Sequence, residues 1–264
     1  MNSVWKNEFR RAFCNKGMLL SLAIGIGIVI WHQITFVWPI SMIIDDFNCV
    51  ESFYYRWLGG NGYPIQNYVF FMILPLLSAL PVGAIYCKDL KSQYYIHFYL
   101  RGQKRQYLLA RYVVTFVVGG FSVIIPLIIS IILTAMKFPV IKPELIMSYE
   151  PNISAVGYSL FFSHPFLYVM LMLFIIFIFA GGFATIVLPS SFYTQYTIVA
   201  SITPFALYYF LYSLDCIFLP VSWRAPNSFL NPATGVCMAN ELILGAIVFL
   251  IIGVIYFRKA IRYE

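Results

Sequence analysis

From Pro151 to Leu214 the chain runs for 64 residues without one Asp, Glu, Lys or Arg. No water-soluble fold tolerates such a stretch, because about a quarter of the residues of a soluble domain are charged. The whole chain has the same bias, with 61% hydrophobic and 10% charged residues and a mean hydropathy of +0.83. A hydrocarbon core about 30 Å thick is crossed by roughly 20 apolar residues rising 1.5 Å each. Six segments of about that length stand out, at 18–38, 68–87, 112–136, 165–188, 196–219 and 241–257. The pattern predicts an all-α integral membrane protein with six transmembrane helices in a single membrane-spanning domain covering 1–264. The last segment is short unless Arg258 and Lys259 extend to the interface, and uncertain boundaries leave counts of five and seven open. The first follows a basic start, as a signal peptide would. Its apolar run is too long for one and no small-residue cleavage site follows, so it reads as a retained helix.

Orientation follows from the alternation of positive flanks, which stay on the cytoplasmic side. With the N-terminus inside, the inner segments hold thirteen of the 17 Lys and Arg, at 6–16, 88–111 and 258–262. The outer ones hold Arg56, Lys137, Lys142 and Arg224 together with seven of the ten acids. Both termini are therefore expected in the cytoplasm. The net charge of +7 is accounted for by topology and anionic headgroups, so no nucleic-acid partner is implied.

Residues 4–16 put Trp5, Phe9, Ala12 and Phe13 on one helical face and Lys6, Arg10 and Arg11 on others, the pattern of an interfacial elbow helix; an irregular basic flank is the alternative. Residues 39–67 contain acids and the turn-rich GGNGYP at 59–64, which predicts a solvated outer loop. The second outer loop, 137–164, carries the sequon at Asn152. Residues 220–240 are too apolar for an ordinary outer loop, with three prolines and one charge. They read as a segment dipping back under cover of protein. In the fifth segment Thr197, Ser201, Pro204, Tyr208, Tyr212 and Asp215 recur at helical spacing. That stripe lines either a pathway, through Thr197, Ser201, Tyr208 and Tyr212, or an ordinary packing seam.

Catalytic chemistry is not visible. The chain has no G-x-S-x-G, no H-E-x-x-H, no phosphate-binding G-x-x-x-x-G-K-[ST] and no His or Cys at metal spacing. No catalytic residue and no metal site is expected, and the three histidines, His32, His97 and His164, read as satisfied packed or interfacial residues. A bridge between Cys216 and Cys237 is open, with free thiols the expectation. Apart from His32 the span centres carry no ionisable group, which argues against an ion-coupled carrier. Energy for transport would then come from a separate ATPase.

Between the second and third segments lies KDLKSQYYIHFYLRGQKRQYLLAR, 88–111. Leu90, Gln93, Tyr94, His97 and Phe98 in it fall on one side of a helix. With an N-terminal interfacial helix, six spans, this basic inner loop and a re-entrant segment before the last span, the layout resembles the membrane subunit of type-2 ABC exporters over nearly the whole chain. Asp89, Leu100 to Gly102 and Arg105 to Arg111 resemble that family's acid, turn and re-entry helix, though many relatives carry Glu at the acid. The resemblance implies a coupling helix seated on a cytoplasmic ABC ATPase dimer through Asp89, Leu90, Gln93, Tyr94, His97, Phe98, Arg101 and Gly102. It implies a second permease, identical or similar, and no cofactor on this chain, with ATP and Mg bound by the partner. The expected function is a permease subunit, not itself an enzyme, in the plasma membrane of a bacterium. It would export a hydrophobic peptide, antibiotic or lipid-like molecule. A stand-alone membrane immunity or sensor protein, and a channel or ion-coupled carrier, are the alternatives.

Overall fold

The computed structural model describes residues 2–39, 52–60, 64–94, 96, 104–143, 154–194, 196–218, 225–234 and 237–262, the side chains of residues 2, 3, 84, 216 and 218 excepted. Within them the chain is helical, without a strand. In order come α1 (Asn2–Phe13), α2 (Lys16–His32, continuing as a π-helical turn Gln33–Val37), α3 (Phe53–Arg56), α4 (Ile65–Lys91) and α5 (Lys104–Ala135). They are followed by α6 (Tyr158–Ser163), α7 (Pro165–Ser190), α8 (Thr197–Phe218), α9 (Pro226–Leu230) and α10 (Ala239–Arg262). Six of them, α2, α4, α5, α7, α8 and α10, are long and apolar enough to cross a membrane. They coincide with the six apolar segments. The main difference is at the basic end, where α5 starts at Lys104 rather than 112 and α4 continues to Lys91 rather than 87.

Helix α4 is central, packing on α2, α5, α7 and α8. Two prolines inside it explain how. A proline lacks the N–H that would pair with the carbonyl four residues earlier, so Pro75 frees the Phe71 carbonyl and Pro81 frees that of Leu77. A freed carbonyl in an apolar bundle must find another donor. The Phe71 oxygen accepts from the hydroxyl of Tyr208 in α8 at 2.9 Å. The Leu77 oxygen accepts from Ser21 Oγ of α2 at 2.7 Å and from Ser122 Oγ of α5 at 3.1 Å. Two losses inside one helix thus become bonds to three others. Close approach needs glycine at two crossings. A Cβ at Gly83 would strike Ser201 Oγ in α8, and one at Gly119 in α5 would strike the Cβ of Ala184 in α7.

At the end opposite the basic one, the chain folds back into the bundle. Phe53, Tyr54, Trp57 and Leu58 are buried, so 52–60, within 39–67, is a core element and not the expected solvated loop. The cause is composition: SFYYRWLGG buries four aromatic rings, and their area outweighs one Arg. The backbone is satisfied locally, Leu58 N–H donating to Ser130 Oγ and Leu58 O accepting from Asn67 Nδ2. The acids Asp45, Asp46 and Glu51, and the sequon at Asn152, lie outside the described residues. On the other side α9 is buried too: Phe229 meets Phe179 at 5.4 Å between ring centroids, and Phe179 is fourteen residues, about 21 Å, along α7. Residues 225–234 are therefore inserted deep between the long helices. Asn231 and Asn67 exchange amide hydrogen bonds across the insertion at 2.5 and 3.1 Å. Asp215 Oδ2 accepts from Ala225 N–H at its entrance.

Candidate functional site

The chemistry-bearing residues gather at the basic end, where α1 lies against α5 and α4. Asn15 makes the joint between α1 and α2. Its Oδ1 caps α2 by accepting from Met18 N–H at 2.8 Å, while its Nδ2 donates to Ala12 O and to Pro81 O, each at 2.7 Å. The start of α2 is thereby level with Pro81, and Asp89, eight residues further along α4, lies about 12 Å beyond it.

There four charges close a ring. Arg111 of α5 donates to Glu8 Oε2 at 2.5 Å and stands 3.4 Å from Asp89 Oδ2. Arg11 of α1 donates to Asp89 Oδ1 at 2.5 Å and to Glu8 Oε1 at 3.2 Å. Each carboxylate is bridged by both guanidinium groups, and the formal sum is zero. Glu8, Asp89 and Arg111 are buried, whereas the Arg11 side chain is 35% exposed. Burial alone would lower the Arg11 pKa, but the hydrogen bond and charge of Asp89, with that of Glu8, hold it above its ordinary value. Two rings add cation–π contacts, Tyr94 at 4.5 Å from the Arg11 guanidinium and Tyr86 at 5.2 Å from that of Arg111. Tyr86 belongs to an aromatic cluster with Tyr107, Tyr112, Phe192, Tyr256 and Phe257, which joins the ends of α4, α5, α7 and α10. The ring is thus connected to every long helix of the basic end except α8.

The sequence-predicted residues are distributed as follows. Asp89 is an internal ion-pair partner and offers no free carboxylate to a surface. Leu90 and Tyr94 are half-buried against the aromatic cluster, while Gln93 is exposed. One helical face through 90, 93 and 94 is not what the fold contains, because α4 ends at Lys91. Tyr94 N–H bonds back to Asp89 O and Gln93 N–H to Leu90 O, with Gln93 in the left-handed region at φ 54°. This is a Schellman turn with Gln in the usual glycine place. The amphipathic spacing of Leu90 and Tyr94 records packing onto their own bundle. His97, Phe98, Arg101 and Gly102 lie outside the described residues.

In α1 the face against the bundle is Val4, Glu8 and Ala12, rotated from the aromatic stripe Trp5, Phe9 and Phe13. Trp5 and Phe9 flank it, and Phe13 is 36% exposed and lies against Phe121 with ring centroids 6.1 Å apart and planes tilted by 50°. The rotation follows from Glu8: a carboxylate that finds Arg111 sets the helix facing more strongly than three rings that are satisfied anywhere apolar. Along α8, Ser201 and Tyr208 are buried against α4, Thr197 O accepts from Ser201 Oγ, and the Tyr68 hydroxyl donates to that of Tyr212 at 3.2 Å. Within one chain the stripe is a packing seam.

Sequence reading missed Glu8 and Arg111. The signal for the first was available: Glu8 is the one acid in a basic flank. His32 also differs from expectation. It is wholly buried and neither ring nitrogen has a hydrogen-bond partner among the described residues, while the Phe36 ring lies 5.4 Å away. Cys14, Cys87 and Cys237 carry free thiols. Among the described residues no three His, Cys, Asp or Glu are close enough to hold a metal ion. Comparison of the sequence with known protein families and with curated proteins, and of the fold with solved structures, finds no match.

Proposed function

We propose that this chain is the membrane subunit of an ATP-driven exporter of the type-2 ABC class, with both termini in the cytoplasm and α1 as its interfacial elbow. One observation carries the reading. Helices α4 and α5 project beyond the start of α2 at the basic end, and the buried ring Glu8–Arg11–Asp89–Arg111 ties both to α1. The two ends that the joining segment connects, Lys91 of α4 and Lys104 of α5, then belong to a braced pair of helices. A push on that segment from a closing ATPase would move α4, α5 and α1 together rather than bend one helix. ATP and Mg would be held by that partner, and this chain performs no hydrolysis. Because the polar stripe of α8 is spent on α4, the pathway in this reading runs between two permeases, identical or similar. The cargo fits a hydrophobic peptide, antibiotic or lipid-like molecule crossing between aromatic-rich helices, and the setting is a bacterial plasma membrane.

Purification in mild detergent tests the reading. A cytoplasmic ATPase without membrane helices is expected to be recovered with the chain and to be lost from the double variant His97→Asp, Phe98→Asp at unchanged thermal stability. Leu90 and Tyr94 are unsuitable for this purpose, since Asp there would disturb the aromatic cluster. If no ATPase associates with the native chain, or if the double variant retains it, the proposal falls.

A further inference from the structure

The buried ring has a consequence for the surface around it. Among the described residues it withdraws the acids at the basic ends of α1 and α4, Glu8 and Asp89, into the interior and neutralises them with Arg11 and Arg111. Among the described residues, what the end of the bundle leaves exposed is cationic: Lys6, Arg10, Lys16, Lys88, Lys91 and Arg105, with Arg258 and Arg262 at the end of α10.

These cations are placed in a repeated way. Lys16 stands one turn from Leu20, which is 52% exposed, at the start of α2. In α5, Arg105 heads the stripe Leu109 and Val113, exposed at 49% and 37%. Arg258 and Arg262 continue the α10 stripe of Leu250 and Val254. Arg10 lies three residues before Phe13, whose ring rests on the exposed Phe121. Residues three or four apart share a helix face. Each of four helices therefore carries a cation within one turn of an outward apolar residue, and among the described residues none carries an exposed acid beside it. An apolar face continued by a positive charge matches an acyl chain continued by an anionic headgroup. A protein partner would be expected to cover the end of the bundle, not the outward apolar sides of these helices.

We infer that the rim of the basic end binds anionic phospholipid headgroups, with Arg10, Lys16 and Arg105 as principal contacts and their acyl chains along Phe13–Phe121, Leu20 and Leu109–Val113. The binding is electrostatic, with a gain near the membrane surface of about fivefold in affinity per basic residue. It depends on the membrane placement of the six helices and not on coupling to an ATPase.

The test uses the full chain in detergent with added dioleoyl-phosphatidylglycerol or dioleoyl-phosphatidylcholine, reading retained lipid by native mass spectrometry and the thermal midpoint alongside. Phosphatidylglycerol is expected to be retained preferentially and to raise the midpoint, both effects fading at high salt. The triple variant Arg10→Gln, Lys16→Gln, Arg105→Gln is expected to lose more than about tenfold in that retention while keeping its midpoint in phosphatidylcholine. Equal retention of the two lipids by the native chain overturns the inference, as does salt-independent retention. Undiminished retention by the variant would do the same. So would equal stabilisation by inorganic phosphate, which makes the site one for a free anion, or loss from the variant of a bound protein but not of lipid. Failure of ATPase recovery leaves this inference standing, and failure here leaves the exporter reading standing.

Discussion

Glu8 and Arg111 form the pair on which the basic end depends. Removing one member of a buried ion pair strands the other charge, at a cost of about 3–5 kcal/mol. Glu8→Gln and Arg111→Met are each expected to lower stability by about that amount in thermal or denaturant unfolding. Arg11→Ala, removing a side chain that is 35% exposed, is expected to cost under about 1 kcal/mol. The double variant Glu8→Met, Arg111→Met should be less harmful than the sum of the two single changes, because neither charge is then left alone. A second residue gives a pH signature. Burial first, then the charge of Glu241, pushes the Cys237 thiol up to about 11 from its ordinary 9.0. The folded state thus holds its proton longer than the unfolded one. The stabilisation is fully present below about pH 9 and is lost as pH rises through 11. Cys237→Ser removes this titration, so the stability difference between native and variant chains should shrink across that window. A constant difference would contradict the assignment. Cys14, exposed, should react with maleimide well before Cys237. The identity of such residues was readable in the sequence, but their partners were not: Glu8 and Arg111 are 103 positions apart.

At the level of elements, proline placement in α4 decides which helices are bonded to it. Tyr208→Phe leaves the Phe71 carbonyl without its donor, and a cost of about 1 kcal/mol is expected for an interhelical hydrogen bond in a membrane. In a Pro75→Ala background the restored backbone N–H satisfies that carbonyl, so the same substitution should cost clearly less. A double-mutant cycle of unfolding free energies measures the coupling, and additive costs would mean that Pro75 has no part in it. The end of α4 shows why periodicity misled. Spacing at 90, 93, 94, 97 and 98 satisfies a helix, but a Schellman turn at Gln93 is made by backbone bonds to Asp89 and Leu90. No side-chain pattern encodes that turn when glycine is absent. In α1 the pattern marked a helix but not the face that packs on the bundle, Val4, Glu8 and Ala12, since a hydrophobic stripe does not weigh a single buried carboxylate.

On the scale of the whole molecule, α1 is the piece that holds the basic end closed. Its removal, by deleting residues 1–13, uncovers Val114 and Val118 and leaves Asp89 and Arg111 without Glu8 and Arg11. The deletion is expected to lower the thermal midpoint markedly. It should lower it less in an Arg111→Met background, which no longer has the same charge to strand; equal losses would argue that α1 contributes apolar cover only. The membrane class, the positions of the six long apolar segments and the concentration of positive charge in alternate segments were all determined by the sequence alone. Hydrocarbon thickness and charge insertion act on each segment by itself, so a linear reading suffices for them. The tertiary structure decided the rest: the aromatic loop 52–60 and α9 fold inward, the α8 stripe becomes a seam on α4, and four distant charges meet in one ring. Those outcomes depend on which carbonyls, carboxylates and rings lie opposite one another once the helices pack, and that proximity exists only in three dimensions.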